Sequence, residues 1–397
     1  MTTKCYLNAM GILCAAGDSP TTIKENLTQP KTHFTMTNEF GSTEALPLGL
    51  YHGELPTIPL AHKKWQSRNN QFALAAVKQI ETQLNSAIKR FGNDRVAVVI
   101  GTSTSGIAES EPATREWLKT NQMPADYDYG LQEMGATAQF IAEVLDLHGP
   151  VYGISTACSS GAKALATARR LIRMGICDAV IAGGVDTLCQ LTVQGFSSLQ
   201  AVSNETCKPF SLNRDGINIG EGAALFLVTA EPKGVELLGV GEGSDAHHIS
   251  APDPTGDGAV RTMTAALADA KLKPDNISYV NLHGTATKLN DQMESLAMSQ
   301  VFGSTTLCSS TKPFTGHTLG AAGAVEAAIC WLMLEGVENK ESNPFVPIHL
   351  WDNVQDPELP MLNLVTVDSE LPQTMDYIVS NSFAFGGNNI SLLLGKV

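Results

Sequence analysis

The stretch "STACSSG", residues 155–161, returns as "STKPFTG" at residues 310–316. Both read S-T-x-x-x-x-G, and each opens a run of small residues at near-helical spacing. Ala162, Leu165, Ala168 and Ile172 form the first stripe; Ala322, Val325, Ile329 and Leu332 form the second. Gly175 and Gly336 stand where such helices would end. The echo extends upstream. A helical pattern with Phe72, Ala76, Ile80, Leu84 and Ile88 precedes "RVAVVIGTSTSG" from Arg95, and "MTAALADAKL" precedes "ISYVNLHGTAT" from Ile277. Each strand-like run ends in Gly-Thr, at Gly101-Thr102 and Gly284-Thr285. Strands alternating with helices imply an α/β fold of parallel sheets covered by helices, built here from a duplicated unit. The small residues predict that one helix from each half packs closely between the sheets.

Composition bounds the function. The chain has 397 residues, 43% of them hydrophobic, enough for a large core in two parts. A net charge of −14 argues against nucleic acid and against an anionic membrane surface. The N-terminal stretch has a broken apolar run, too weak for a signal peptide, and Ala321–Leu334 is short for a bilayer and interrupted by Glu326. The eight cysteines show no CxxC spacing, so a cytoplasmic chain with reduced thiols is expected.

Cys158 follows the short run "VYGIS" and precedes a helical pattern. A nucleophile favours that position, where a tight turn lifts the side chain and a helix N-terminus promotes the thiolate. A buried structural cysteine fits the stretch as well. Partners elsewhere favour the nucleophile. His283 ends an apolar strand in "LHGTATKLND", and "STKPFTGHTLGAAGAVEA" carries Lys312, His317 and Glu326 at the echoed position. The Gly-rich turn "SNSFAFGGNN", residues 380–389, can bring backbone N–H groups close to a ligand. Cys158, His283 and His317 lack zinc-motif spacing, although distant ligands can meet in space, and no metal or cofactor is expected. The adjacent His247 and His248 read as an exposed loop. "RDGINIGEGAA" from Arg214 lacks the glycine and lysine pattern of a phosphate loop and reads as a turn and strand forming a wall.

"TACSSGAKAL", "KPFSLNRDGINIGEGAA", "HGTATKLND", "STKPFTGHTLGAAGAVEA" and "NSFAFGGNN" together resemble the elongating β-ketoacyl-acyl carrier protein synthases of fatty acid and polyketide synthesis. The likeness is weakest from about residue 30 to 90. It implies the thiolase fold: two βαβαβαββ halves, 1–235 and 236–397, in a five-layered α/β/α/β/α core, normally dimeric. It implies Cys158 as acyl-accepting nucleophile, His283 and His317 as catalytic histidines, and Lys312 and Glu326 as their support. Asp291 and Glu294 match acidic positions after the first histidine. The resemblance assigns the oxyanion hole to the backbone of Cys158 and Phe385, the gate to Phe383, Ala384 and Phe385, and substrate binding to Thr285, Thr287 and Asp291. Its implied partners are acyl- and malonyl-loaded carrier protein, docking at Lys63, Lys64, Arg68 and Lys208, and a second copy or a chain-length-factor-like subunit. Three departures stand out: Ala384 where the family has Gly, Asn388 where it has Thr, and Ala286 where Gly or Ser is commoner. Alanine resists positive φ, so a stiffer or differently held gate is expected at Ala384. Rival readings are a coenzyme A-dependent thiolase, disfavoured because the final Gly-rich turn has no second cysteine, and a non-catalytic chain-length-factor-like subunit, disfavoured by Cys158 with both histidines. "SDAHHISAPDP" and "STKPFTGHTLGAAG" also resemble ketosynthases of aryl-polyene pigment clusters.

Overall fold

The structure, a computed structural model, describes residues 3–125, 127–335 and 344–396. The first half runs β1 (Tyr6–Cys14), α1 (Arg68–Gln79), β2 (Val96–Gly101), α2 (Ala136–Val144), β3 (Val151–Ile154), α3 (Ser160–Arg173), β4 (Ala179–Asp186) and β5 (Gly222–Thr229). The second repeats the order: β6 (Val235–Ser244), α4 (Asp257–Ala270), β7 (Tyr279–Asn281), α5 (Lys288–Phe302), β8 (Leu307–Ser309), α6 (Ala322–Glu335), β9 (Tyr377–Phe383) and β10 (Asn388–Lys396).

The sheet order confirms the duplication. The first half reads β3-β2-β4-β5-β1 and the second β8-β7-β9-β10-β6. The two join where Tyr6 faces Glu236 and Leu7 faces Val235. The echoed motifs fall at matching places. Gly101 ends β2 and Thr102 follows it, Gly284-Thr285 come shortly after β7, and Ser155 and Ser310 follow β3 and β8.

Three apolar clusters give the layers. Phe72 on α1 and Phe140 on α2 cover the outer face of the first sheet. Met263 on α4 and Met293 on α5 cover the outer face of the second. Between the sheets lie α3 and α6, with Ala162, Ala168, Ala324 and Ala328 in one cluster. Small residues are obligatory there. A Cβ on Gly161 would sit 2.8 Å from the Ala324 Cβ, and one on Gly323 would sit 2.8 Å from the Ala162 Cβ. This is the five-layered thiolase architecture.

Three expectations change. The sheets are mixed, not parallel: β2 pairs parallel with β3 and β4, but β5 runs antiparallel to β4 and β1. In the second half a short turn joins β9 to β10, and so tight a connection permits only antiparallel pairing. The pattern from Phe72 to Ile88 is two helices, because Ile80 leaves helical geometry at φ −116°, ψ 16°. "STKPFTG" does not lead directly into α6. A short helix, Lys312–Thr315, breaks at Gly316 with φ +69°, and His317 stands in the gap. Gly175 ends α3 with φ +68°, whereas Gly336 lies outside the described residues. No helix among the described residues is long and apolar enough to cross a membrane.

Candidate active site

The chain between β3 and α3 turns sharply at Ala157, whose φ is +52°. Positive φ is costly for a residue with a Cβ, so the turn needs bracing. Neighbouring hydroxyls supply it: Ser159 Oγ donates to the Thr156 carbonyl at 2.8 Å, and Ser160 Oγ donates to the Ala157 carbonyl at 2.6 Å. The small, hydroxylic surroundings of Cys158 thus hold a strained elbow that aims its sulfur into a cavity. Cys158 is only 5% exposed. Burial lifts its thiol to about 11, although the Lys312 charge and the backbone N–H groups of Phe385 and of Cys158 itself pull the other way. The expectation of a thiolate promoted by the helix start is corrected: in the resting site desolvation outweighs it.

His317 Nε2 lies 3.0 Å from Cys158 Sγ. The His283 and His317 rings meet edge to face at a centroid distance of 5.5 Å. Burial and the Lys312 charge hold both imidazoles well below their usual range, so both are neutral. Their tautomers follow from their partners. Lys312 Nζ stands 3.4 Å from His283 Nδ1, which makes Nδ1 the acceptor and leaves the proton on Nε2. His317 Nδ1 is buried without a partner among the described residues, and an orphaned lone pair costs less than an orphaned N–H. That assigns its proton to Nε2 as well, facing the sulfur.

Lys312 and Glu326, each 2% exposed, form a buried ion pair, and Lys312 also donates to the His283 carbonyl. Burial raises Glu326 to about 7 against the pull of Lys312. Cys158, His283 and His317 offer ligating atoms within 4.8 Å of one another, so residues without zinc-motif spacing do meet in space. The ammonium of Lys312 opposes a second cation there, and the group fits proton and oxyanion chemistry better than metal binding.

The loop after β7 is held from beneath. Glu294 on α5 accepts from the backbone N–H groups of His283 and Gly284, both at 2.7 Å. Asp291 accepts from Phe210 N at 2.7 Å and Thr285 N at 3.1 Å. Asp291 therefore orients the loop and does not line the cavity; its expected place in substrate binding is corrected, since backbone donors occupy both its oxygens. Ala286 in this loop has φ +62°, which gives its departure from Gly a structural cost.

A cavity of about 560 Å³ opens onto Cys158, His283 and His317. Thr285 and Thr287 line it as expected, with Phe383, Ala384 and Phe385 on the opposing turn and Asp215 to Ile217 forming the predicted wall. Ala384 is extended at φ −99°, while Gly386 and Gly387 carry the positive φ values of the turn. Ala384 therefore takes no positive φ, and backbone strain at this residue gives no reason for the stiffer or differently held gate expected there. His247 and His248 lie exposed in a loop, as expected.

Of the four proposed docking residues, Lys63 and Lys64 are exposed, with Lys64 Nζ 2.9 Å from Glu143. Lys208 pairs with Glu205 at 2.7 Å. Arg68 is different. Two of its nitrogens reach Glu221, at 2.9 and 2.5 Å, and Glu221 is fully buried. The guanidinium charge is spent on that carboxylate, so Arg68 is a brace of the fold rather than a docking contact.

Sequence reasoning missed two residues. Phe196 packs on Phe385 at 5.8 Å, from a helix with no motif of its own. Asp186, fully buried at the end of β4, gathers the hydroxyls of Thr102, Ser103 and Thr104 and the N–H of Gly320. The Asp in "AGGVD" gives no hint of this, because its donors come from two distant loops.

Known proteins resemble this chain in sequence and fold. Residues 9–233 match the N-terminal domain of β-ketoacyl synthases and residues 235–339 the C-terminal domain. The chain belongs to the β-ketoacyl synthase family. A 3-oxoacyl-[acyl-carrier-protein] synthase 2 from Staphylococcus aureus (strain COL) is 32% identical over 83% of this chain and 82% of its own length. Nodulation protein E from Rhizobium meliloti (strain 1021) is 31% identical over the whole of both chains. Among solved structures, a ketosynthase (ApeO) in complex with its chain length factor (ApeC) from Xenorhabdus doucetiae superposes with a TM-score of 0.93 at 43% identity, covering 100% of this chain and 98% of that one. A β-ketoacyl synthase from Burkholderia phymatum STM815 superposes at 0.90 with 28% identity over both full chains.

Proposed function

We infer that this β-ketoacyl synthase condenses malonyl-carrier protein with an acyl chain held on Cys158, releasing CO2. The observation that carries the reading is the convergence of the Cys158 sulfur with two imidazoles that each present Nε2–H to one cavity.

The steps follow from this geometry. Acyl transfer begins as the thiol attacks the carrier thioester. The tetrahedral oxyanion needs two donors, and the reading assigns them to the backbone N–H groups of Cys158 and Phe385, both of which favour negative charge at the sulfur. The thiol proton leaves on the departing carrier sulfur. His317 Nε2–H stabilises the transient thiolate that the buried site otherwise resists. Malonyl-carrier then enters, and its carboxylate departs as CO2. The electron pair left on the α-carbon delocalises onto the thioester oxygen, which accepts from Nε2 of His283 and His317. Decarboxylation generates the nucleophile, so no strong base is required. The carbanion attacks the acyl-Cys158 carbonyl, and collapse of that adduct expels the sulfur as thiolate, which takes one proton from solvent water. Lys312 and Glu326 hold His283 neutral and correctly protonated. A well-placed donor of this kind contributes about 3 kcal/mol to the transition state.

A family-wide division near residue 235, docking through Lys63, Lys64 and Lys208, and a cytoplasmic location consistent with eight free thiols belong to the same reading. A chain-length-factor-like partner is supported by the ApeO–ApeC complex. Elongation of an aryl-polyene chain rests on the motif resemblance, and a panel of carrier-bound chains varied in length and unsaturation tests it. The function itself is tested by mass spectrometry after incubation with acyl-carrier protein. A stable acyl adduct on Cys158 is expected. Turnover by Cys158→Ala, or no adduct on the native protein, would contradict it.

A further inference from the structure

His349 lies outside every motif and does not line the cavity, yet it joins three segments that build the site. It is 3% exposed. Ser310 N donates to its Nδ1 at 3.1 Å, so its Nε2–H donates to the Pro209 carbonyl at 2.9 Å. Burial lowers this imidazole to about 4, which keeps it neutral and able to bridge donor and acceptor.

Each bridged segment bears on the loop that carries His283. Ser310 Oγ donates to the Gly284 carbonyl at 2.7 Å, two residues before Lys312 begins its short helix. Phe210 follows Pro209 and has φ +61°, a strained setting for a bulky residue. Its N–H is held by Asp291, and its ring packs on the His349 ring at 6.0 Å. The same ring lies against Gly284: a Cβ there would come within 3.1 Å of Phe210 and 2.5 Å of the Ser310 Cβ. Trp351 also packs on the imidazole, edge to face at 5.6 Å. Glu294 and Asp291 thus hold the His283 loop through its N–H groups, while His349, through Ser310 and Phe210, holds it at the Gly284 carbonyl and Cα.

We propose that His349 is a positioning residue for the decarboxylation half of the reaction: its imidazole sets Ser310 and Phe210 against Gly284 and so fixes the orientation of His283 beside Lys312. This rests on the condensing reading of the site. It predicts a split, because the hydrogen bonds and ring contacts of His349 among the described residues run to Ser310, Pro209, Phe210 and Trp351 and not to the elbow, Cys158 or the Phe385 turn. A displaced donor costs rate steeply, about 100-fold for 1 Å.

The test compares His349→Leu with His349→Asn, whose Oδ1 can take the place of Nδ1 and accept from Ser310. Three quantities are read: the rate of Cys158 acylation, the rate of malonyl-carrier decarboxylation, and the imidazole 15N shifts of His283 and His317. His349→Leu should slow decarboxylation about 10-fold or more with acylation within about 2-fold, and His349→Asn should restore most of the loss. The His283 shifts should move in the Leu variant and return in the Asn variant, while those of His317 stay. These shifts need no turnover, so they judge the brace even if the native protein fails to condense, an outcome that would instead overturn the assigned reaction. Equal slowing of both steps, unmoved His283 shifts, or equal movement of both histidines would overturn the proposal. If His349→Leu does not fold, Ser310→Ala removes the Oγ contacts to the Gly284 carbonyl and the Lys312 N–H while keeping the His349 bond to Ser310 N, and should show the same split in smaller measure; parallel loss of both steps there would overturn it too.

Discussion

Cys158 rests as a neutral thiol because it is buried, and this shapes how it reacts. Free cysteine titrates near 8.5, and charge pairing or a helix start normally lowers that value. Here burial pushes the thiol up to about 11, against Lys312 and two backbone N–H groups. In the proposed acyl transfer the thiolate would therefore form only as the thioester arrives, with the His317 Nε2–H, 3.0 Å away, taking up the charge. Alkylation of Cys158 by iodoacetamide should accordingly keep rising with pH well past 9 in protein that remains folded. A rate that plateaus by about pH 8, as an activated thiolate would give, contradicts this. The sequence singled out Cys158 through its small neighbours, and the structure brings His317 beside that sulfur. It could not reveal the direction of the titration, since burial is set by the Phe385 turn and by His317, which lie far along the chain.

At the scale of elements, α5 is the support of the His283 loop. Glu294 accepts two backbone N–H groups at 2.7 Å, yet burial raises its carboxyl to about 8. The consequence for stability has a definite sign. A carboxyl bound more tightly to its proton in the folded state than in the unfolded state, where it titrates near 4.3, stabilises most below that value. The benefit fades as pH rises towards 8. The stability difference between the native protein and Glu294→Gln, measured by urea unfolding, should be largest near pH 4.5 and shrink by pH 8; a gap that widens with pH would contradict the assignment. The elements themselves were largely legible. Stripes such as Ala162, Leu165, Ala168 and Ile172 marked the two central helices, and the Gly-Thr pairs marked the ends of β2 and β7. The break at Ile80 was not legible, because the apolar spacing continues through it. Nor was the antiparallel return of β5, since hydrophobic pattern does not encode strand direction.

Over the whole molecule, the duplication brings the site together. Cys158 comes from the first half and both histidines from the second, and α3 and α6 meet between the sheets through Gly161 and Gly323. The chain is acidic, at −14, so an acidic carrier must find a local basic patch. Sequence alone placed Arg68 in that patch, because a charge does not announce its partner. The structure spends it on Glu221 and leaves Lys63 and Lys64 at the surface. Reversing both lysines should raise KM for carrier substrates several-fold at low ionic strength and much less at high salt, with kcat nearly unchanged. Kinetics insensitive to the reversal at low salt would remove this face as the docking site.

The measurement that bears most directly on the paired-imidazole site is a step-resolved assay of His283→Ala, following acyl transfer to Cys158 by mass spectrometry and CO2 release from malonyl-carrier in parallel. Acylation that persists while CO2 release falls by 100-fold or more, the order expected for loss of an oxyanion donor, is the predicted result. Undiminished CO2 release from that variant would contradict it.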